Sequence, residues 1–321
     1  MKSMRSSTTG RSRSIIPCLI AVAMLAAGCS SDSESSTTKP STSRGTTPSP
    51  AAEAVVVTVA GDIASGASDQ AQATGDLVRA TNPTWALTLG DNAYPNGSDD
   101  DYRSRYEPTW GSFRTKTLPS PGNHEYHTAD AAGYFNYFFD GVRAGNEYRA
   151  TALDRGWRGY SLNCEIDCGA NSAQVGWLRA DLAAHPDAHV IAYLHRPRYS
   201  SSDNHGSQDQ VQPIWEVLET AGADLIFGGH DHIYERFAPL SPTGAPTAEG
   251  QGIRSFVVGT GGAGLYGIGT PLPGSEVRMQ QYGILRLRLF SDRYEWAFLA
   301  TDGTTHDVGQ SATRRRTPDG S

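Results

Sequence analysis

The sequence has few cysteines, a deficit of basic residues and no apolar run long enough to cross a membrane. Its 321 residues include four cysteines, and 34 acidic against 27 basic side chains give a formal net charge of −7. The only basic cluster is Arg314-Arg315-Arg316 near the C-terminus. Non-specific nucleic-acid binding requires a larger basic surface, so nucleic acid is not an expected partner. With no repeat of fixed period, the chain can bury one large core or two small ones.

The N-terminus has the layout of a secretory signal. Four basic residues precede the apolar stretch from Ile15 to Ala27, and Gly28-Cys29 follows. Ala26-Ala27-Gly28-Cys29 resembles a bacterial lipobox, in which cleavage before the cysteine leaves a thiol that is acylated. Residues 1–28 are therefore expected to be a lipoprotein signal peptide and Cys29 the lipidation site. The apolar stretch is shorter than the roughly 20 residues of a spanning helix, which disfavours an anchor helix; a freely secreted form is the other alternative.

The segment after the signal is predicted to be a linker. Residues 29–52 are rich in Ser, Thr and Pro and lack apolar periodicity, which is typical of disordered chain. Removal of residues 1–28 would take away four basic groups and no acidic ones, changing the net charge to −11. One folded domain is expected over residues 53–310, with residues 311–321 as a basic flexible tail.

Cys164 and Cys168 are expected to form a disulfide. In an exported chain, two thiols this close favour a bridge, because a structural zinc ion would need two further ligands. The bridge is expected to fix a small loop and to have no catalytic role.

Polar side chains that can bind metals follow five apolar, strand-like runs. Each run ends at a glycine or directly at a histidine, and ligands in open α/β sheets collect at the carboxyl ends of strands. The runs end at Gly61-Asp62, Gly90-Asp91-Asn92-Ala93-Tyr94, Gly122-Asn123-His124-Glu125, His195, and Gly228-Gly229-His230-Asp231-His232. A hydrophobic core does not require this set of residue types. The set therefore indicates a site for two metal ions.

In order and type, these motifs resemble the calcineurin-like metallophosphoesterases, and Gly-Asp-x-x-Tyr is similar to the purple acid phosphatase branch. The resemblance covers about residues 55–235 and implies a metallophosphoesterase catalytic domain with the family's fold. That fold is a four-layer α/β/β/α sandwich of two mixed sheets. Alternating strands and helices followed by hairpin-like strands agree with it. Ile253–Val258, Gly283–Phe290 and Arg293–Ala300 are predicted to close the second sheet by antiparallel pairing.

The resemblance implies a ligand for each metal position. One ion takes Asp62, Tyr94 and His232, the other takes Asn123, His195 and His230, and Asp91 bridges them. Paired ions about 3.5–4 Å apart can clamp the attacking and leaving oxygens of a phosphoryl displacement. The nucleophile implied is water acidified by the metal pair.

The ligand charges favour an Fe(III) ion beside Zn, Mn or Fe(II). Two aspartates and a tyrosinate supply three negative charges, which leaves a mixed-valent pair net positive and attractive to phosphate. Ala64 stands where the other branch of the family supplies a histidine. Two divalent ions, Mn or Zn, remain the alternative.

His124 and His205 are the candidates for contacting phosphate and protonating the leaving group. The family motif implies His124, whereas His205 rests only on its place ten residues after His195. Arg196 is either an oxyanion contact or a salt-bridged loop residue. Gly259-Thr260-Gly261-Gly262 lacks the lysine of a phosphate loop and is expected to be a flexible turn near the rim of the site.

The expected function is hydrolysis of small phosphate monoesters, of the acid phosphatase type, at the outer face of the cytoplasmic membrane. A phosphodiesterase acting on nucleotides or lipid head groups uses the same residues. The choice depends on loops such as Gly97–Arg105 and Tyr266–Glu276. A solute-binding lipoprotein on a degenerate enzyme fold is the non-catalytic alternative, disfavoured by the intact ligand set. The sequence does not define an oligomeric state.

Overall fold

The computed structural model describes residues 54–66 and 70–314. The predicted signal peptide, Cys29 and the linker 29–52 lie outside the described residues, and so do residues 315–321.

The strands of the described chain are short and apolar, and most are buried. In chain order they are β1 (Val55–Ala60), β2 (Trp85–Leu89), β3 (Thr117–Ser120), β4 (Arg149–Ala152), β5 (Trp157–Ser161), β6 (His189–Tyr193), β7 (Leu225–Gly228), β8 (Tyr234–Leu240), β9 (Ile253–Val258), β10 (Ser275–Met279), β11 (Gly283–Leu289), β12 (Arg293–Ala300) and β13 (Thr305–Ala312).

The strands form two mixed sheets. The first has the order β13-β12-β11-β1-β2-β3, and the second has the order β10-β8-β9-β7-β6-β5-β4. In the first sheet β1, β2 and β3 are parallel, and β11 joins β1 antiparallel. In the second, β5, β6, β7 and β9 are parallel. Parallel pairing puts the carboxyl ends of neighbouring strands at one edge of each sheet, which is where the polar motifs begin.

The helices of the described chain are α1 (Gln70–Thr81), α2 (Asp99–Asp101), α3 (Glu107–Trp110), α4 (Ala132–Phe139), α5 (Ala173–Ala184) and α6 (Gln212–Thr220). Most of the helices lie in connections between parallel strands of one sheet, and α4 lies between the two sheets in the chain. A π-helical turn joins α2 to α3, and a short 3₁₀ stretch follows α3. Ser172 caps α5 by accepting from the Val175 amide, and Gly222 follows α6 with a φ of 70°, as expected of a helix stop.

Strand β6 shows how the layers are built. Its alternate residues Ile191 and Tyr193 belong to the core that contains residues of both sheets, whereas Val190 and Ala192 belong to the core beneath α5 and α6. Successive side chains of a strand point to opposite faces, so β6 separates two apolar layers. With α1 packed on the first sheet at β11, the order is helix, sheet, sheet, helix. The predicted α/β/β/α sandwich is confirmed.

Two expectations about the C-terminal third are wrong. Of the three strands predicted to close the second sheet, only β9 belongs to it, between β7 and β8. The other two, β11 and β12, extend the first sheet from β1. Hairpin signals fix which strands are adjacent in the chain but not which sheet edge receives them.

The predicted tail also begins too early. Strand β13 continues to Ala312, and the Arg314 guanidinium pairs with both carboxylate oxygens of Glu219 at 2.9 and 3.0 Å. Across the described residues, no helix combines the length and apolarity needed to cross a bilayer.

Candidate metal centre

The two sheets bring seven potential ligand side chains to one place. They follow β1, β2, β3, β6 and β7, the same strands that the sequence motifs indicate. Those side chains are Asp62, Asp91, Tyr94, Asn123, His195, His230 and His232. One ligand atom from each of Asp62, Asp91 and His195 lies within 4.8 Å of the other two, and all three residues are buried.

The first cluster consists of Asp62, Tyr94 and His232 around one oxygen of Asp91. The Tyr94 hydroxyl lies 3.2 Å from Asp62 Oδ1, from Asp91 Oδ2 and from His232 Nε2. His232 Nε2 lies 3.3 Å from Asp62 Oδ1. With metal–ligand bonds of about 2.1 Å, adjacent donors on one ion are separated by about 3 Å. The Tyr94 hydroxyl is therefore spaced as a neighbouring donor to each of the other three atoms, and Asp62 Oδ1 and His232 Nε2 are spaced in the same way to each other.

The second cluster consists of Asn123, His195 and His230. His195 Nε2 lies 3.0 Å from Asn123 Oδ1 and 3.1 Å from His230 Nδ1. The same nitrogen lies 3.4 Å from Asp91 Oδ2. One carboxylate oxygen of Asp91 thus borders both clusters, as a bridging ligand must. The donors are hard oxygens and imidazole nitrogens, a set that suits Fe, Zn or Mn.

Backbone carbonyls orient two of the imidazoles. His195 Nδ1 donates to the Leu89 carbonyl at 2.9 Å, and His232 Nδ1 donates to the Gly264 carbonyl at 2.7 Å. Each contact leaves Nε2 as the nitrogen that faces its cluster, which is the common arrangement of metal-binding histidines. His230 is turned the other way, with Nδ1 toward His195 and Nε2 3.2 Å from Arg196 Nη1.

The ligand backbones adopt conformations that side-chain-bearing residues rarely do. Asp62, Asp91 and His230 have φ values of 60°, 49° and 66°. Such strain concentrates at functional sites. Gly122 is required by close approach, because a Cβ there would collide with Asp91 Oδ1.

Glu125 holds the Asp91 loop from beneath. It is fully buried, and its Oε2 accepts from the amides of Asp91 and Gly122 at 2.9 and 2.7 Å. Oε1 accepts from the amides of Asn92 and Ala93 at 2.8 and 3.3 Å. The sequence pattern gave no sign of this role, because a glutamate after a histidine has no local signature.

The buried charges favour cations. Burial opposes the ionisation of both members of the Asp91–His195 pair, yet their attraction lowers the pKa of Asp91 and raises the pKa of His195 to about 10. Burial, with Asp62 and Asp91 next, raises the pKa of Tyr94 well above its usual value. A tyrosinate at Tyr94 would therefore need the charge of a bound cation. Burial and the neighbouring His195 lower the pKa of His230 to about 2, so that imidazole is neutral, as a metal ligand must be.

His124 and His205 both lie beside the clusters. His124 Nδ1 donates to the Pro95 carbonyl at 2.6 Å, which leaves Nε2 3.8 Å from Asp91 Oδ2. The exposed His205 ring stacks on His230 with centroids 4.0 Å apart. Burial lowers the pKa of His205 despite the nearby Asp231 carboxylate. His124 therefore lies beside Asp91 and Tyr94, whereas His205 lies beside His230.

Three further features lie around the site. Arg196 is the salt-bridged loop residue of the two alternatives, since Glu165 binds its Nε and Nη2 at 2.6 and 2.9 Å. The turn at residues 259–262 does not lie at the rim of the site as expected. Thr260 is fully buried, and the Gly261 amide donates to the Gly61 carbonyl at 2.9 Å. Tyr266, which no motif marks, stacks on His232 with centroids 3.9 Å apart.

A family model for calcineurin-like phosphoesterases matches residues 55–234, which is more than half of the chain and includes all seven potential ligands. The chain belongs to the calcineurin-like phosphoesterases. The backbone of Ala64, where a histidine would mark the other branch, pairs with Asn92 and with Tyr94. This pairing sets Asp62 opposite the Asp91 loop.

Several of the similar curated proteins are purple acid phosphatases. Purple acid phosphatases 21 and 22 of Arabidopsis thaliana are each 27% identical, over 75% and 62% of this chain. The chain spans little more than half of their length, 58% and 52%.

Among solved structures, a purple acid phosphatase from yellow lupin seeds aligns with a TM-score of 0.65 and 19% sequence identity. The alignment covers 84% of this chain and 56% of the lupin chain. GAP50, the anchor in the inner membrane complex of Plasmodium, matches 82% of this chain and 90% of its own, with 13% identity and a TM-score of 0.63. These two likenesses show the fold alone.

Proposed function

We propose that the protein is a phosphomonoesterase of the purple acid phosphatase type, with a binuclear metal centre at the seven converging side chains. The observation that carries the proposal is the position of Asp91 Oδ2, 3.2 Å from the Tyr94 hydroxyl and 3.4 Å from His195 Nε2. A carboxylate oxygen shared by two donor clusters would hold two cations close together, and two-metal phosphoester hydrolysis uses ions about 3.5–4 Å apart.

When bound, the metal pair would neutralise phosphate charge and acidify water. The protein's own groups then have separate tasks. His124 Nε2 lies beside Asp91, and the Nδ1 contact with the Pro95 carbonyl fixes the ring. Because Nδ1 is the donor to Pro95, Nε2 would donate to a phosphate oxygen only when both ring nitrogens carry a proton. His205, exposed and stacked on His230, is placed to protonate the leaving oxygen. Tyr266 covers His232 and narrows the approach to the first cluster.

We further propose Fe(III) at the first cluster and Zn, Mn or Fe(II) at the second. The first cluster offers Asp62, Tyr94 and the shared Asp91, all anionic when bound, whereas the second offers Asn123, His195 and His230, all neutral when bound. An uneven charge distribution of this kind suits a trivalent ion beside a divalent one. Two divalent ions remain the alternative occupancy.

The proposed location is the outer face of the cytoplasmic membrane, through lipid on Cys29, with a small phosphorylated substrate. The Cys164–Cys168 disulfide supports export, because such bridges persist in oxidising compartments. The net charge of −11 after signal removal supports a small substrate over a polyanion.

A hydrolysis panel tests the activity. Purified protein with measured metal content would be assayed on matched aryl phosphate monoesters and diesters. The proposal predicts turnover that depends on metal and is greater on monoesters. If the protein hydrolysed diesters faster than monoesters, the proposed function would change to a phosphodiesterase. If a fully metal-loaded protein hydrolysed neither, the result would favour a binding function.

Tyr94→Phe tests the iron assignment. A ferric tyrosinate absorbs visible light, so the wild type expressed with iron should be coloured and the variant colourless, with a divalent ion in the first cluster. A colourless wild type that is fully active without iron would contradict the assignment and leave the wider phosphoesterase reading intact.

A further inference from the structure

We propose that the loop closed by the Cys164–Cys168 disulfide braces the second ligand cluster, Asn123, His195 and His230, and that Glu165 within the loop is a positioning residue for it. The proposal rests on the proposed binuclear centre. It gives the disulfide a part in metal retention, where the sequence indicated only a fixed loop.

The loop lies at the edge of the sheet from which His195 projects. It follows β5, which pairs in parallel with β6, so that Ser161 is opposite Tyr193. The Leu162 amide extends this pairing by donating to the Tyr193 carbonyl at 2.9 Å. His195 comes two residues after β6, and the disulfide-closed loop comes three residues after β5.

The first arm of the brace runs from Glu165 to His230. Glu165 is nearly buried, and both of its carboxylate oxygens bind the Arg196 guanidinium, at 2.6 and 2.9 Å. This two-point contact fixes both the position and the plane of the guanidinium. The remaining nitrogen, Nη1, then lies 3.2 Å from His230 Nε2, so Arg196 limits where the His230 ring can move. Arg196 also directly follows His195 in the chain.

The second arm runs from Asn163 to the loop that carries Asn123. Asn163 Nδ2 donates to the Tyr126 hydroxyl at 2.8 Å, and the Tyr126 amide donates to the Asn123 carbonyl at 3.1 Å. Asn163 is itself fixed by Gln174 of α5, with which it exchanges two hydrogen bonds of 2.8 and 2.7 Å. Its Oδ1 accepts from the Glu165 amide at 2.9 Å.

The two arms together reach all three ligands of the second cluster. The disulfide joins residues with Cα atoms 5.3 Å apart and closes a ring that contains Glu165, so the ring limits the conformations open to that residue. Loss of groups that support metal ligands typically weakens metal affinity by about 10–100-fold. Opening the ring, or removing the Glu165 charge, should therefore weaken the second metal selectively.

The test is zinc titration by calorimetry of the chelator-treated full-length protein. The variants are the double substitution Cys164→Ser with Cys168→Ser, and Glu165→Gln, which keeps the disulfide. Asn123→Ala marks which binding event belongs to the second cluster. Glu219→Gln is the matched control, because Glu219 also makes a two-point contact with an arginine, through Nη1 and Nη2 of Arg314 at 2.9 and 3.0 Å. Circular dichroism and thermal melting show whether each variant is folded.

The brace predicts two binding events in the wild type. The event weakened by Asn123→Ala should also weaken about 10-fold or more in both brace variants, while the other event and the Glu219→Gln control are unchanged. If both events are retained at wild-type affinity in the brace variants, the brace is refuted and the binuclear centre stands. Equal weakening of both events would refute selectivity and hence the brace. A wild type that never binds two ions would overturn the binuclear centre and the brace with it. Should the double cysteine variant fail to fold, Glu165→Gln decides alone.

Discussion

Glu125→Gln should separate the support of the Asp91 loop from the metal ligands themselves. The substitution keeps the size of the side chain but replaces one acceptor oxygen by an NH₂ group. Each carboxylate oxygen accepts from two buried backbone amides, Asp91 and Gly122 on one side and Asn92 and Ala93 on the other. Whichever way the new amide turns, two amides lose their acceptor.

The expected cost follows from those two amides. A buried donor left without a partner costs about 1–3 kcal/mol, so Glu125→Gln should lower the free energy of unfolding by about 2–6 kcal/mol. That is a large part of the roughly 5–15 kcal/mol of a typical domain. Because either pair includes at least one amide of the loop that carries Asp91, metal content should fall as well.

The assay is urea unfolding with and without added metal, together with metal content after dialysis. Glu235→Gln is the control, since Glu235 is also fully buried and accepts from the Ser201 amide at 2.7 Å without contacting a ligand. The control should be destabilised but keep its metals. The reasoning would be refuted if Glu125→Gln lowered the free energy of unfolding by under about 1 kcal/mol and the variant kept the wild-type metal content.

Three other predictions address the proton balance, catalysis and location. Because the pKa of His195 is raised to about 10, zinc binding at pH 7 should release at least one proton, and zinc affinity should rise with pH up to about 10. Calorimetry in buffers of different ionisation enthalpy measures the number of protons released. Release of no protons would contradict the prediction. His205→Ala should slow hydrolysis of alkyl phosphates about 100-fold or more and that of aryl phosphates with good leaving groups much less, whereas equal losses would argue against a role in leaving-group protonation. Cys29→Ser should leave the protein soluble or unprocessed, and an intact mass showing unmodified Cys29 on the mature wild-type chain would remove the lipid anchor.

Much of the fold and the convergence of the seven candidate ligands could be predicted from the sequence. Their convergence could be predicted because each follows a buried strand, and strand ends of parallel sheets meet at one edge. The fold class followed from the same motifs through the family resemblance. Helix α5, for example, is indicated by apolar residues at helical spacing, Val175, Leu178 and Leu182, and the structure buries all three.

What could not be predicted depends on contacts between residues far apart in the chain. Tyr266 reaches His232 from a loop without a motif, and Glu125 is recognisable only once four amides surround it. The sheet that receives β11 depends on an antiparallel register with β1, from Val55 opposite Leu289, over more than 200 residues of chain. Arg196 could be assigned only when its partner Glu165 was located.

The most direct test of the account is the metal content of Asp91→Asn, because the central claim is that one carboxylate oxygen serves two cations. Asp307→Asn is the control, a buried carboxylate that pairs with Arg236 at 2.8 Å away from the site. With both variants folded by circular dichroism, the account predicts two ions per chain in the wild type and the control, and loss of both ions and of hydrolysis in Asp91→Asn. Near wild-type metal content and turnover in Asp91→Asn would contradict the binuclear centre.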